Sequence, residues 1–204
     1  MAVMVDIPRE ALQPVDDDGA GIGFEQLCRD LELANDAMPD GYRAEIIGGK
    51  IVMSPWSKGD YNDILDSLHD QLLPHVPQGH RARTTPNLFV FPRQARGYGP
   101  DLHVSDKAAT RVDGILLPGS ALSLVAEQTS SPTRFVDLTD KVDVYGKAEV
   151  PVYVLVDMAK ATVTVYHDPI PGEGYQAHTQ VKFGDSVRIP APFDFDLDTA
   201  AWTA

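Results

Sequence analysis

Residues 122–157 read "LSLVAEQTSSPTRFVDLTDKVDVYGKAEVPVYVLVD", and their pattern decides the fold. Two apolar, β-branched runs, "LSLVAEQT" and "VPVYVLVD", flank a segment whose apolar residues recur at helical spacing. Continuous apolar strands are buried on both faces. A strand–helix–strand order of this length predicts a crossover within a mixed sheet. One residue breaks the pattern, because Glu127 sits where a core side chain is expected. An unpaired carboxylate in low dielectric is very costly, so Glu127 needs a partner.

Outward from this unit, "FEQLCRDLELA" spaces Phe24, Leu27, Leu31 and Ala34 for a short amphipathic helix, with Cys28 read as core. "YRAEIIGGKIVMSP" predicts two strands joined tightly at Gly48-Gly49. A second helix places Ile64, Leu65, Leu68 and Leu72 on one face, with Asp60 as N-cap and Pro74 near its stop. "RARTTPNLFVFPRQ", "PDLHVSD", "TVTVYHD" and "GYQAHTQVKFGDSVRIP" supply further strands. The expected class is α/β (α+β mixed), with residues 1–20 as a flexible acidic leader and 21–204 as one domain.

Composition narrows the function. The chain has 204 residues and a net charge of −13, which argues against a non-specific polyanion binder. Yet residues 71–100 contain no acid and carry Arg81, Arg83, Arg93 and Arg96. That window is either a solvated hairpin or a local basic rim for nucleic acid. One cysteine excludes an internal disulfide and points to a cytoplasmic home. No run is apolar enough for a membrane helix, and the N-terminus lacks the pattern of a signal peptide.

The chemistry concentrates where acids interrupt apolar strands. Asp101 opens "DLHV" after Pro100, and Glu127 lies inside "LVAEQT". If the two strands are neighbours, their carboxylates converge, and hard oxygen donors with room for water suit Mg²⁺ or Mn²⁺. The alternative is that Glu127 pairs with an arginine or caps backbone groups. His103, two residues after Asp101, faces the same side and is either a third ligand or a packed strand-end histidine.

On the following helix, Phe135, Leu138, Val142 and Tyr145 read as the packing stripe. Asp137 and Lys141 form an i,i+4 pair, most simply a surface salt bridge. Lys141 flanks the stripe, so its ammonium could also reach Glu127. Trp56 reads as a loop anchor.

The order "YRAEIIGGKIVMSP … PD … LVAEQTSSPTRFVDLTDKVDVYGKAEVPVYVLVD" resembles the Uma family of putative restriction endonucleases, in the PD-(D/E)XK nuclease superfamily. The resemblance spans roughly Phe24 to the C-terminus. It implies a restriction-endonuclease-like fold, a central mixed sheet flanked by helices. It also implies a divalent-metal endonuclease site on Asp101 and Glu127, with the Gln128 backbone carbonyl as a further ligand and Glu45 as an accessory acid. Asp137, Lys141 and Tyr145 match the family's "D…K…Y" helix. Similar folds often pair as homodimers.

The chain departs from the pattern at Thr129, where the superfamily normally has its lysine, so either Lys141 supplies the ammonium from the helix or no lysine acts. It departs again at Tyr61 and Asn62, where relatives carry a histidine, and at Val152 and Val154. Two rival functions stand beside the nuclease. One is an inactive scaffold that keeps the fold. The other is an enzyme acting on a small anionic substrate.

Overall fold

The computed structural model describes residues 3–4, 22–38, 40–55, 59, 62–84, 87–129 and 134–203. Most of the expected leader, the Asp60 cap, Trp56 and Tyr61 lie outside the described residues. In chain order the first elements are β1 (Val3–Met4), α1 (Ile22–Asp36), β2 (Tyr42–Ile47), β3 (Lys50–Pro55) and α2 (Asn62–Leu72). Next come β4 (His80–Arg83), β5 (Leu88–Phe91), β6 (Arg96–Tyr98), β7 (Leu102–Asp106) and β8 (Leu116–Pro118). Then follow β9 (Leu122–Gln128), α3 (Arg134–Leu138), α4 (Asp140–Lys147) and β10 (Val152–Asp157). The last four are β11 (Thr162–Ile170), β12 (Gly174–Lys182), β13 (Val187–Ile189) and β14 (Phe195–Leu197). No helix among the described residues is long and apolar enough to cross a membrane.

The chain gathers into two compact units. The first comprises Met1–Ser57, Asn87–Gly99 and Val112–Gly119. Its sheet runs in the order β1-β3-β2-β6-β5-β8. The hairpin of β2 and β3 turns at Gly48 (φ 59°) and Gly49 (φ 70°). Both are left-handed conformations that glycine adopts without a Cβ penalty, as the sequence predicts. α1 buries Phe24, Leu27 and Leu31 with Ala44, Ile46 and Ile51 of the hairpin, and Cys28 lies partly buried beside them. Burial, chiefly, pushes the Cys28 thiol up to about 11, so it stays protonated at neutral pH.

The second unit comprises Lys58–Pro86, Pro100–Arg111 and Ser120–Ala204. Its sheet runs β12-β11-β10-β9-β7-β4. β9 and β10 pair in parallel from Leu124↔Val152 to Gln128↔Val156, and α3 and α4 form the crossover between them. The remaining neighbours are antiparallel, so the sheet is mixed, with helices on both faces.

Alternation along each strand sorts the residues by face. Leu102, Val104, Leu124, Ala126, Val152, Val154 and Val156 share one apolar cluster with Ile64, Leu65, Leu68 and Leu72 of α2. Each of those α2 side chains contributes about 1.5–3 kcal/mol of transfer free energy at most. The family departures Val152 and Val154 are therefore core packing on this face.

The opposite face carries the odd-numbered partners, and it is not apolar. β7 and β9 pair antiparallel with Leu102↔Ala126 and His103↔Val125, so one further step sets Asp101 opposite Glu127. Leu155 of β10 pairs with Glu127 from the other side. On β4, Ala82 packs into the α2 cluster, which turns Arg81 and Arg83 to the face of Asp101 and Glu127.

Candidate active site

Glu127 finds its partners on the crossover helix. Lys141 Nζ lies 2.9 Å from Glu127 Oε1 and 2.9 Å from Asp137 Oδ1. The Tyr145 hydroxyl donates to Glu127 Oε1 at 3.0 Å. Asp137, Lys141 and Tyr145 succeed one another by four residues, the first on α3 and the other two on α4, and all three are buried.

The Glu127 and Lys141 side chains are each only 1% exposed. The surface salt bridge expected from spacing is thus a buried ion pair shared between two carboxylates. Burial also corrects the packing stripe: Asp137, Lys141, Val144 and Tyr145 point inward, whereas Phe135 is 77% exposed. Thr139 between the two helices departs from helical geometry (φ −130°, ψ −72°), which breaks a phase that the sequence reads as continuous.

A further ring closes the network from β10. The Tyr153 hydroxyl donates to the Asp137 carbonyl at 3.0 Å, and the Tyr145 and Tyr153 rings stack obliquely, 5.1 Å apart. Burial, then the charges of Asp137 and Glu127, push the Tyr153 phenol well above its ordinary range. It remains a neutral donor.

Asp101 immediately precedes β7, which opens at Leu102, one residue later than expected. Its Oδ2 accepts the backbone N–H of Gln128 at 2.9 Å, which holds its carboxylate against the peptide that follows Glu127. Thr129, at the position of the superfamily lysine, is a strand-end clip. Its N–H donates to the Val156 carbonyl at 2.9 Å, and its hydroxyl accepts from Met158 N–H at 3.2 Å. The ammonium nearest Glu127 therefore comes from α4.

His103 is buried, and its imidazole is pushed down to about 4 by burial first and then by Arg83 and Arg81. It is neutral at physiological pH. Among the described residues, no group of three or more His, Cys, Asp or Glu side chains is placed to hold a metal ion, so His103 does not complete a three-residue ligand set. On β7 it pairs with Arg83 of β4 and Val125 of β9.

The remaining expected residues fall in different places. Glu45 lies on β2 in the first unit, where its Oε1 accepts the Gly99 N–H at 2.8 Å and Arg43 Nε stands 3.9 Å from its Oε2. Arg43 also donates to the Gly99 carbonyl at 2.7 Å. The arginine window divides between the units, with Arg81 and Arg83 in the second and Arg93 and Arg96 in the first. Arg96 is spent on the Gln94 and Ala95 carbonyls.

Sequence reasoning missed one pair on the Glu127 face. Asp157, at the end of β10, receives Arg134 in a two-pronged bridge, Nε to Oδ1 at 2.9 Å and Nη2 to Oδ2 at 2.6 Å. The signal was present, since "VYVLVD" ends a wholly buried strand on an acid, and "LVAEQ" carries one at its penultimate position.

Comparison with known proteins agrees with this architecture. A crystal structure of a putative nuclease belonging to DUF820 from Anabaena variabilis ATCC 29413 superposes with a TM-score of 0.62 at 19% identity, covering 84% of this chain and 97% of that one. At that identity the likeness speaks for the fold, a restriction-endonuclease-like arrangement of mixed sheets and flanking helices. A comparison with curated proteins gives no match. The model of the Uma2 family, described as "putative restriction endonuclease", matches residues 24–200, and the chain belongs to that family.

Proposed function

We propose that the protein is a divalent-metal-dependent endonuclease whose site is built on Asp101, Glu127 and Lys141. One observation carries the reading: Lys141 reaches from α4 to within 2.9 Å of Glu127, while Asp101 is fixed on the adjoining peptide. Three separate elements thus bring two acids and one ammonium to the end of a parallel strand, where sheets of this type bind ligands.

The donors fit the ion that the fold implies. Asp101, Glu127 and the Gln128 carbonyl are hard oxygen ligands, too few to enclose a cation alone. That suits Mg²⁺ or Mn²⁺, which keep several waters. Bound there, the cation would screen charge on a phosphoryl group and make a nearby water more acidic.

The chain's own residues do the rest. Tyr145 and Lys141 both hold Glu127 Oε1, which fixes the carboxylate's orientation. The Lys141 ammonium offers positive charge to a phosphate oxygen or orients water, the task of the lysine that Thr129 replaces. Asp137 holds Lys141 in place, and Tyr153 holds the helix at Asp137. Arg81 and Arg83, on the same face, attract the phosphate backbone toward Asp101.

The test is hydrolysis of labelled single-stranded and duplex DNA and RNA, with Mg²⁺ or Mn²⁺ and with chelator, by wild type and Glu127→Gln. Metal-dependent cleavage that falls at least about 100-fold in the variant supports the reading. Cleavage that survives chelator or Glu127→Gln contradicts it.

A further inference from the structure

The bridge between Arg134 and Asp157 holds a guanidinium on the working face of the sheet. Asp157 shares that face with Glu127, because Leu155 pairs with Glu127 and Asp157 lies two residues further along β10. Two residues of strand span roughly 7 Å. The Asp157 carboxylate is buried, 4% exposed, while Arg134 is 29% exposed. Asp157 engages Nε and Nη2, and the other donors of the five-donor fork have no partner among the described residues. An arginine held on one edge by a buried carboxylate presents its other edge with little entropy left to lose.

The next residue is the second, independent observation. Phe135 is 77% exposed, the most exposed large apolar side chain among the described residues. An aromatic ring beside an oriented guanidinium offers two different contacts, a face for a base and a fork for a phosphate.

We propose that Arg134 and Phe135 form a nucleic-acid contact site beside the acid cluster, selective for single-stranded or unpaired segments. Arg134, aligned by Asp157, holds a backbone phosphate next to the one at Glu127, and Phe135 stacks on an unpaired base. Duplex bases are already stacked and offer Phe135 no face. The proposal rests on the nuclease reading, since it names the substrate class of that same site.

Its test is fluorescence anisotropy with a fluorescein-labelled single-stranded DNA 12-mer and the matching duplex, using full-length protein with Glu127→Gln to prevent cleavage. Adding Phe135→Ala should weaken single-strand binding about fivefold or more, leave duplex binding unchanged, and leave the salt slope unchanged. Adding Arg134→Gln should lower the slope of log Kobs against log salt by about 0.7. Arg134→Lys, which keeps the charge, should restore that slope. Thermal melts confirm that each variant is folded. If the protein binds the oligonucleotides and neither position matters, this site is wrong while the nuclease reading stands. Binding of no oligonucleotide overturns both. A change of oligomeric state on Phe135→Ala, with unchanged single-strand affinity, overturns it in favour of self-association.

Discussion

The crossover helices carry two Asp–Lys pairs with the same spacing and the same separation. Asp137–Lys141 and Asp143–Lys147 are both i,i+4, and both place Nζ 2.9 Å from Oδ1. The first pair is 3% and 1% exposed, the second 53% and 37%. Distance and sequence spacing therefore say nothing about what either pair does. The inner lysine also meets Glu127, and water cannot replace a lost partner there. The outer lysine is solvated, and its pairing offsets little more than the entropy of holding two long side chains still.

The largest expected effect is at the inner pair. Lys141→Ala leaves Glu127 and Asp137 facing each other in a buried site and should destabilise the fold by about 3–5 kcal/mol, read by urea unfolding. Pairing it with Glu127→Gln removes one of those charges and should recover a measurable part of the loss. Additive losses would break the claim that the two residues act as a pair.

Gly146, on the same helix, should come next. A Cβ there would lie 2.7 Å from the Tyr175 backbone nitrogen and 2.9 Å from the Gly174 Cα. Gly146→Ala should cost about 1–3 kcal/mol in the same assay, although alanine is the better helix former. A neutral or stabilising result would mean that α4 is free to move off β12. Lys147→Ala should be the smallest change, within about 0.5 kcal/mol.

This pairing also shows what could be read from the sequence and why the rest could not. The Gly48-Gly49 hairpin, α1, α2 and the β9-to-β10 crossover were legible, because each is a local period bounded by its own turn chemistry. Three-residue strands such as β6 and β8 are too short to carry a period, and only their partners make them strands. Phe135 was misread because an apolar residue at helical spacing is assigned inward. The inward positions were taken instead by Asp137 and Lys141, whose burial depends on Glu127 arriving from another strand. Spacing alone could not distinguish the two Asp–Lys pairs; the family resemblance singled out the inner one. Arg134 and Asp157 escaped because their bridge joins residues 23 apart, at the two ends of the crossover, and no local period links them.

The central claim is that Glu127 and Asp101 share a divalent cation, and calorimetric titration of Mn²⁺ into wild type and Glu127→Gln tests it most directly. The account predicts micromolar-to-millimolar binding by wild type that is lost in the folded variant. Equal binding by both proteins, or none by either, would contradict it.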